Sequence, residues 1–153
     1  MKLSPEKINE LKRLVTQALD KLYQKDFELI KKSVGERSIA FRLGVIMECL
    51  KNDNTDFKGY DLDTEYNKNK DEFKKTPSKP NGAMPDLILH KRGNNWNNLL
   101  IIEVKRPKKY SGRTSDRQKL KDFTNKKGVY RYGLGIFIIL GTTRGKVKLE
   151  YYL

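Results

Sequence analysis

Thiols and imidazoles are nearly missing from this sequence, which has one cysteine, Cys49, and one histidine, His90. A single thiol excludes an intramolecular disulfide, and without a Cys/His cluster there is no zinc site. Both read as structural, Cys49 as a small apolar residue on a helix and His90 as a strand-end residue. No apolar run approaches the ~20 residues that cross a bilayer. The N-terminus is charged and periodic rather than signal-like. No helix carries a bulky aromatic face suited to lipid. A cytoplasmic protein with no membrane partner is expected. Internal repeats of useful length are also missing. Acid is scarce: 19 Asp and Glu stand against 33 Lys and Arg, for a formal charge of +14. Such a surplus favours polyanionic partners, because phosphates neutralised by protein release condensed counterions.

At 153 residues the chain reads as one domain, residues 1–153, long enough to bury a single core. Its parts are an N-terminal helix (1–35), a core (36–140) and a closing strand (141–153). Ser4-Pro5-Glu6 starts the first helix, with a capping hydroxyl, a proline whose missing N–H costs nothing, and an acid at the positive dipole end. Ile8, Leu11, Val15, Ala18 and Leu22 recur at helical spacing, and the helix is expected to run to about residue 32. A second helix covers residues 36–51, striped by Ala40, Leu43, Met47 and Leu50. Counting back by four puts Glu36 on the same stripe, where a charge needs a partner or a metal. Its place at the helix start also suits the dipole unaided.

Residues 60–66 suit a strand, and the lysine-rich stretch 68–82, with Pro77, Pro80 and Gly82, reads as a mobile loop. Strands follow at about 83–91 and 99–106. Ser115-Asp-Arg-Gln118 fits a capping box opening a helix to about Asn125. Residues 136–140 form a central apolar strand, and 146–152 alternate as a closing hairpin strand. The order is that of a mixed α/β domain.

The chemistry concentrates in the hairpin of residues 83–106. Asp86, Ile88 and His90 share one side of their strand, as do Ile101, Glu103 and Lys105 of theirs. If the connection turns about Asn94 and Asn95, Asp86 faces Glu103, with β-carbons about 4.5–5.5 Å apart. Lys105 lies one pleat further along. A slip of one residue would separate the acids onto opposite faces. Two such carboxylates repel and raise each other's pKa unless a hard divalent cation joins them. The Val104 carbonyl offers another oxygen. A surface salt bridge is the plainer reading, but Leu87, Leu89, Ile101, Ile102 and Val104 mark strands buried on both faces. The three residues therefore suit metal-assisted phosphodiester hydrolysis, with Lys105 holding the water or offsetting charge that builds on phosphorus.

Pro85-Asp86 followed by Glu103-Val104-Lys105 resembles the signature of the PD-(D/E)XK nuclease superfamily. The stretches Glu36-Arg-Ser-Ile-Ala-Phe-Arg-Leu-Gly44, Asp63-Thr-Glu-Tyr-Asn67 and Pro85-Asp-Leu-Ile-Leu-His-Lys-Arg92 are similar to small bacterial members. The resemblance runs from about Glu36 to Leu140. It implies a restriction-endonuclease-like αβββαβ core, a mixed central sheet flanked by helices, here with an extra N-terminal helix. It also implies a Mg²⁺- or Mn²⁺-dependent deoxyribonuclease, expected to act as an endonuclease. Asp86 and Glu103 would be metal ligands, Val104 a third through its carbonyl, and Lys105 the catalytic lysine. Glu36 matches the acid that many members carry on the first core helix. Glu65 either joins the acidic cluster or sits on the other strand face, and Gln118 is explained by its capping role alone.

Lys108, Lys109 and Arg113 would grip DNA phosphates just beyond the catalytic strand, with Tyr110 stacking on a base. Arg92 and Trp96 fall at the far end of the hairpin. One site cuts one strand, so double-strand cleavage calls for a homodimer or two encounters. The alternatives are a non-catalytic nucleic-acid-binding module with the same fold, and a protein-interaction subunit whose charge meets an acidic protein.

Overall fold

In α1 (Pro5–Lys25) the Ser4 hydroxyl accepts the Lys7 N–H and Pro5 fills the first turn, as the sequence requires. The structure, a computed structural model, describes residues 2–153. The helix does not run unbroken to residue 32. It ends at Asp26, whose φ of −123° is not helical, and a short α2 (Phe27–Lys31) follows. The break sets the Asp26 carboxylate 2.8 Å from Nε of Arg42, so an ion pair with the next helix replaces a continued turn. α3 (Glu36–Asn52) buries Ile39, Ala40, Leu43, Ile46 and Met47, and Cys49 lies on its exposed side. A Cβ on Gly44 would fall 2.9 Å from Leu87 Cδ2 and 3.3 Å from Thr64 Cγ2. The bare backbone there lets α3 lie close against the sheet.

The sheet has five strands, β1 (Asp61–Thr64), β4 (Leu87–His90), β5 (Leu100–Lys105), β6 (Leu134–Ile139) and β7 (Lys148–Tyr152), paired in that order. β5 and β6 are parallel and the other pairs antiparallel. A parallel pair needs a crossover, which α4 (Arg113–Thr124) supplies. Every residue of β4, β5 and β6 is buried, because both faces are covered. α1 and α3 pack on Leu87, Leu89, Leu100, Ile102, Ile136 and Ile138. Leu120 and Phe123 of α4 pack on Ile88, Ile101 and Phe137 on the opposite face. The protein is thus a mixed α/β fold, a five-stranded mixed sheet flanked by helices.

Two local expectations fail. Residues 68–82 are not a loose loop. They carry the hairpin of β2 (Lys68–Asn69) and β3 (Glu72–Phe73) and a bridge between Thr76 and Lys79. Tyr130 Oη accepts the Lys75 N–H and donates to the Lys75 carbonyl, while Asp122 accepts the Ser78 N–H. Backbone groups tied in this way hold the excursion to the α4 side. Lys74 is buried within it, over the Tyr66 ring, and burial lowers its pKa to about 8. The second failure is the capping box. α4 is entered through Gly112 at φ +79°, with no side-chain cap. The left-handed turn suits glycine and draws Ser115 and Asp116 into the first turn. Gln118 is exposed and donates to Asp122, so it caps nothing.

Among the described residues no helix is long and apolar enough to cross a membrane.

Candidate active site at the carboxyl end of β5

The β4–β5 register pairs Leu87 with Ile102, Ile88 with Ile101 and Leu89 with Leu100. Carried one step outward, it sets Asp86 against Glu103, the alignment a turn about Asn94 and Asn95 requires. The next step sets Pro85 against Val104. Proline has no N–H to give, so the Val104 N–H goes to Asp86 Oδ2 instead, at 2.7 Å. In a strand the N–H and carbonyl of one residue leave on the same side. The Val104 carbonyl therefore faces the Pro85–Asp86 edge, where no ladder donor meets it.

Asp86, Glu103 and Lys105 lie on the α4 face. Two α4 residues that the hairpin pattern does not include, Asp116 and Lys119, complete the group. Lys119 Nζ stands 2.7 Å from Glu103 Oε2 and 3.1 Å from the Met84 carbonyl. Asp116 Oδ2 stands 2.7 Å from Lys105 Nζ, and Asp116 Oδ1 is 3.9 Å from Lys119 Nζ. The sequence does carry their signal: Asp116, Lys119, Leu120 and Phe123 follow the 3–4 spacing of an inward stripe. The capping-box match at residues 115–118 masks it by claiming Asp116 for the cap. From the other side, Glu36 in the first turn of α3 sets Oε2 3.5 Å from Lys105 Nζ, and its Oε1 accepts the Arg106 N–H at 3.3 Å. Glu36 thus faces the lysine at the helix start, and both readings of it apply together.

Charge is poorly balanced here. Glu103 is 2% exposed, and its Oε1 is buried with no hydrogen-bond partner. Burial first, then the Asp86 charge, push its pKa well above the carboxylate range, and Lys119 offsets only part of that. Asp86 is also raised, chiefly by burial, against the pull of the Val104 N–H and Lys119. Burial pushes Lys105 down, but Asp116 and then Glu36 outweigh it, so its pKa lies above the ordinary lysine value. The outcome is a charged lysine beside two carboxyls whose pKa values are both raised, chiefly by burial. An orphaned buried oxygen and two opposed carboxyls suit a hard cation, which prefers oxygen ligands. Asp86, Glu103 and the Val104 carbonyl are the atoms that fit one. Among the described residues, no group of three or more His, Cys, Asp or Glu side chains is gathered to hold a metal, so a main-chain oxygen would be needed.

Glu65 stays outside this cluster. Its backbone is left-handed, with φ +51°, and its carboxylate pairs with Arg37 Nε at 2.5 Å. A cavity of about 480 Å³ opens beside Asp86, lined by Arg37, Ser38, Phe41, Thr64 and Glu65 among others. Beyond β5, Lys108 is exposed and Lys109 half-buried, 4.0 Å from Glu36. Tyr110 is 71% exposed, with the Arg113 guanidinium 4.4 Å from its ring centre. Trp96 and Arg92 lie past the other end of β4 and β5.

No protein-family model matches the chain, and neither a curated protein nor a solved structure matches it.

Proposed function

We propose that this protein is a Mg²⁺- or Mn²⁺-dependent nuclease with a restriction-endonuclease-like core, hydrolysing phosphodiester bonds in DNA as an endonuclease. The observation that carries the reading is the β4–β5 register, which continued one residue past Leu87 and Ile102 opposes Asp86 to Glu103, with Lys105 one pleat beyond, in an interior where charges need a reason. The order of α3, three sheet strands, α4 and β6 supports the same core. The Asp86 and Glu103 carboxylates and the Val104 carbonyl would hold the cation, which when bound polarises a phosphate oxygen and favours ionisation of water. Asp116 and Glu36 keep the Lys105 ammonium charged and aimed. Lys105 donates to the attacking water or to the phosphoryl oxygens and offsets the negative charge that develops there. The cavity beside Asp86 gives the substrate room. Lys108, Lys109 and Arg113 neutralise neighbouring phosphates, and Tyr110 offers a ring to a base.

The test is incubation of the purified protein with plasmid, linear, single-stranded and branched DNA plus Mn²⁺. Nicked or shortened products are expected from the wild type and none from Asp86→Ala or Lys105→Ala. Cleavage that survives either change removes the assigned site. One observation favours a second reading, a non-cutting nucleic-acid-binding module: the Lys119 ammonium already sits on Glu103 at 2.7 Å. That reading expects salt-sensitive DNA binding, no metal-dependent products and no loss on Asp86→Ala.

A further inference from the structure

We propose that Lys119 is a resident counter-ion for Glu103, an ammonium that holds the cation position until a dication displaces it. The inference rests on the nuclease reading of the same acid pair and adds a residue outside its signature. Lys119 is 8% exposed and comes from α4, across from the strand that carries Glu103. Its Nζ contacts one Glu103 oxygen at 2.7 Å and leaves the other without a partner. A single positive charge thus serves two opposed carboxyls, and the seat is half filled. The amine also has another berth. Asp116 Oδ1 lies 3.9 Å away, so a shift of roughly 1 Å brings the amine within hydrogen-bond reach of it. A four-carbon lysine stem takes up such a movement without displacing the backbone. Anchoring α4 does not require this pair, because Leu120 and Phe123, both fully buried, already pack the helix on the sheet. A buried ion pair is moreover a poor source of stability compared with apolar packing.

Mn²⁺ titrated calorimetrically into the full-length protein without nucleic acid tests this apart from cleavage. Lys119→Met removes the competing charge, so Mn²⁺ is expected to bind at least about tenfold more tightly, a 1.4 kcal/mol gain. The Mn²⁺-induced rise in Tm should be larger than in the wild type. Lys119→Gln, which keeps a neutral donor for Glu103, should also tighten binding, and it stands in if the methionine variant does not fold. Equal or weaker binding in the variant that folds overturns the counter-ion role, showing that Lys119 only orients the carboxylate, and leaves the nuclease reading intact. Mn²⁺ binding to neither the wild type nor the variants overturns both.

Discussion

The two ends of β4 meet acids held in opposite ways, one on the neighbouring β1 and a pair where β4 approaches β5. At the far end Asp63 accepts from His90 Nε2 and Arg92 Nε, each at 2.9 Å, and from Arg92 Nη2. Burial pushes the Asp63 carboxyl up, yet Arg92 and His90 bring it below its ordinary value. At the near end Asp86 and Glu103 are both raised. Depth sets part of the contrast, because Asp63 lies on the edge strand β1 with 13% of its side chain exposed, while Glu103 lies on the central β5 and is 2% exposed. Partners set the rest: both Asp63 oxygens are bonded, and Glu103 has one with nothing to bind. A satisfied acid fastens structure, whereas an unsatisfied one is ready for a ligand.

Exchanging acid for amide at each end gives the largest expected effect. Asp86→Asn should lower Mn²⁺-dependent plasmid nicking by about 10²–10³-fold, while Asp63→Asn should leave it nearly unchanged. Equal losses at both ends would erase the functional distinction. Stability should sort the other way. Asp63→Ala should cost about 2 kcal/mol by urea denaturation, below the usual penalty for a broken buried pair because Arg92 is half exposed.

Asp86→Asn should instead raise neutral-pH stability, by less than the Asp63→Ala cost, as it removes a carboxyl whose charge burial disfavours. The pH dependence follows by linkage. A raised carboxyl contributes stability below the ordinary carboxylate range, and this is lost as pH rises through its folded value. The contribution of Asp63 is present above that range and is lost as pH falls through its depressed value. The Asp86→Asn gain should accordingly vanish on acidification, whereas the Asp63→Ala penalty should shrink there. The smallest effect concerns binding: Lys108→Gln should flatten the log–log salt slope of DNA affinity by about 1, and Trp96→Ala should leave it alone.

Much of this was legible in advance because strand alternation and a short connection constrain a hairpin tightly. Pro85, Asp86, Glu103 and Lys105 could be placed from spacing alone, and the element order followed from apolar runs and turn residues. α4 was harder. Residues 115–118 match a local capping motif, but the left-handed Gly112 opens the helix instead, and Asp116 and Lys119 turn to the site. Their role depends on a long-range approach between a helix and β5, which no local pattern encodes. The 68–82 stretch misleads for a similar reason. Its polar composition suggests a solvated loop, while its order derives from Tyr130 and Asp122, more than forty residues later. The break at Asp26 answers to Arg42 in the same way.

Lys105 touches an acid from each side of the sheet, Glu36 from the α3 layer and Asp116 from the α4 layer. It works as a rivet through three layers, helix, sheet and helix. A ligand that draws the ammonium forward would loosen its hold on both outer layers at once, so its binding is expected to register in α3 and α4 together. Amide hydrogen exchange in the first turns of those two helices should then rise and fall in step.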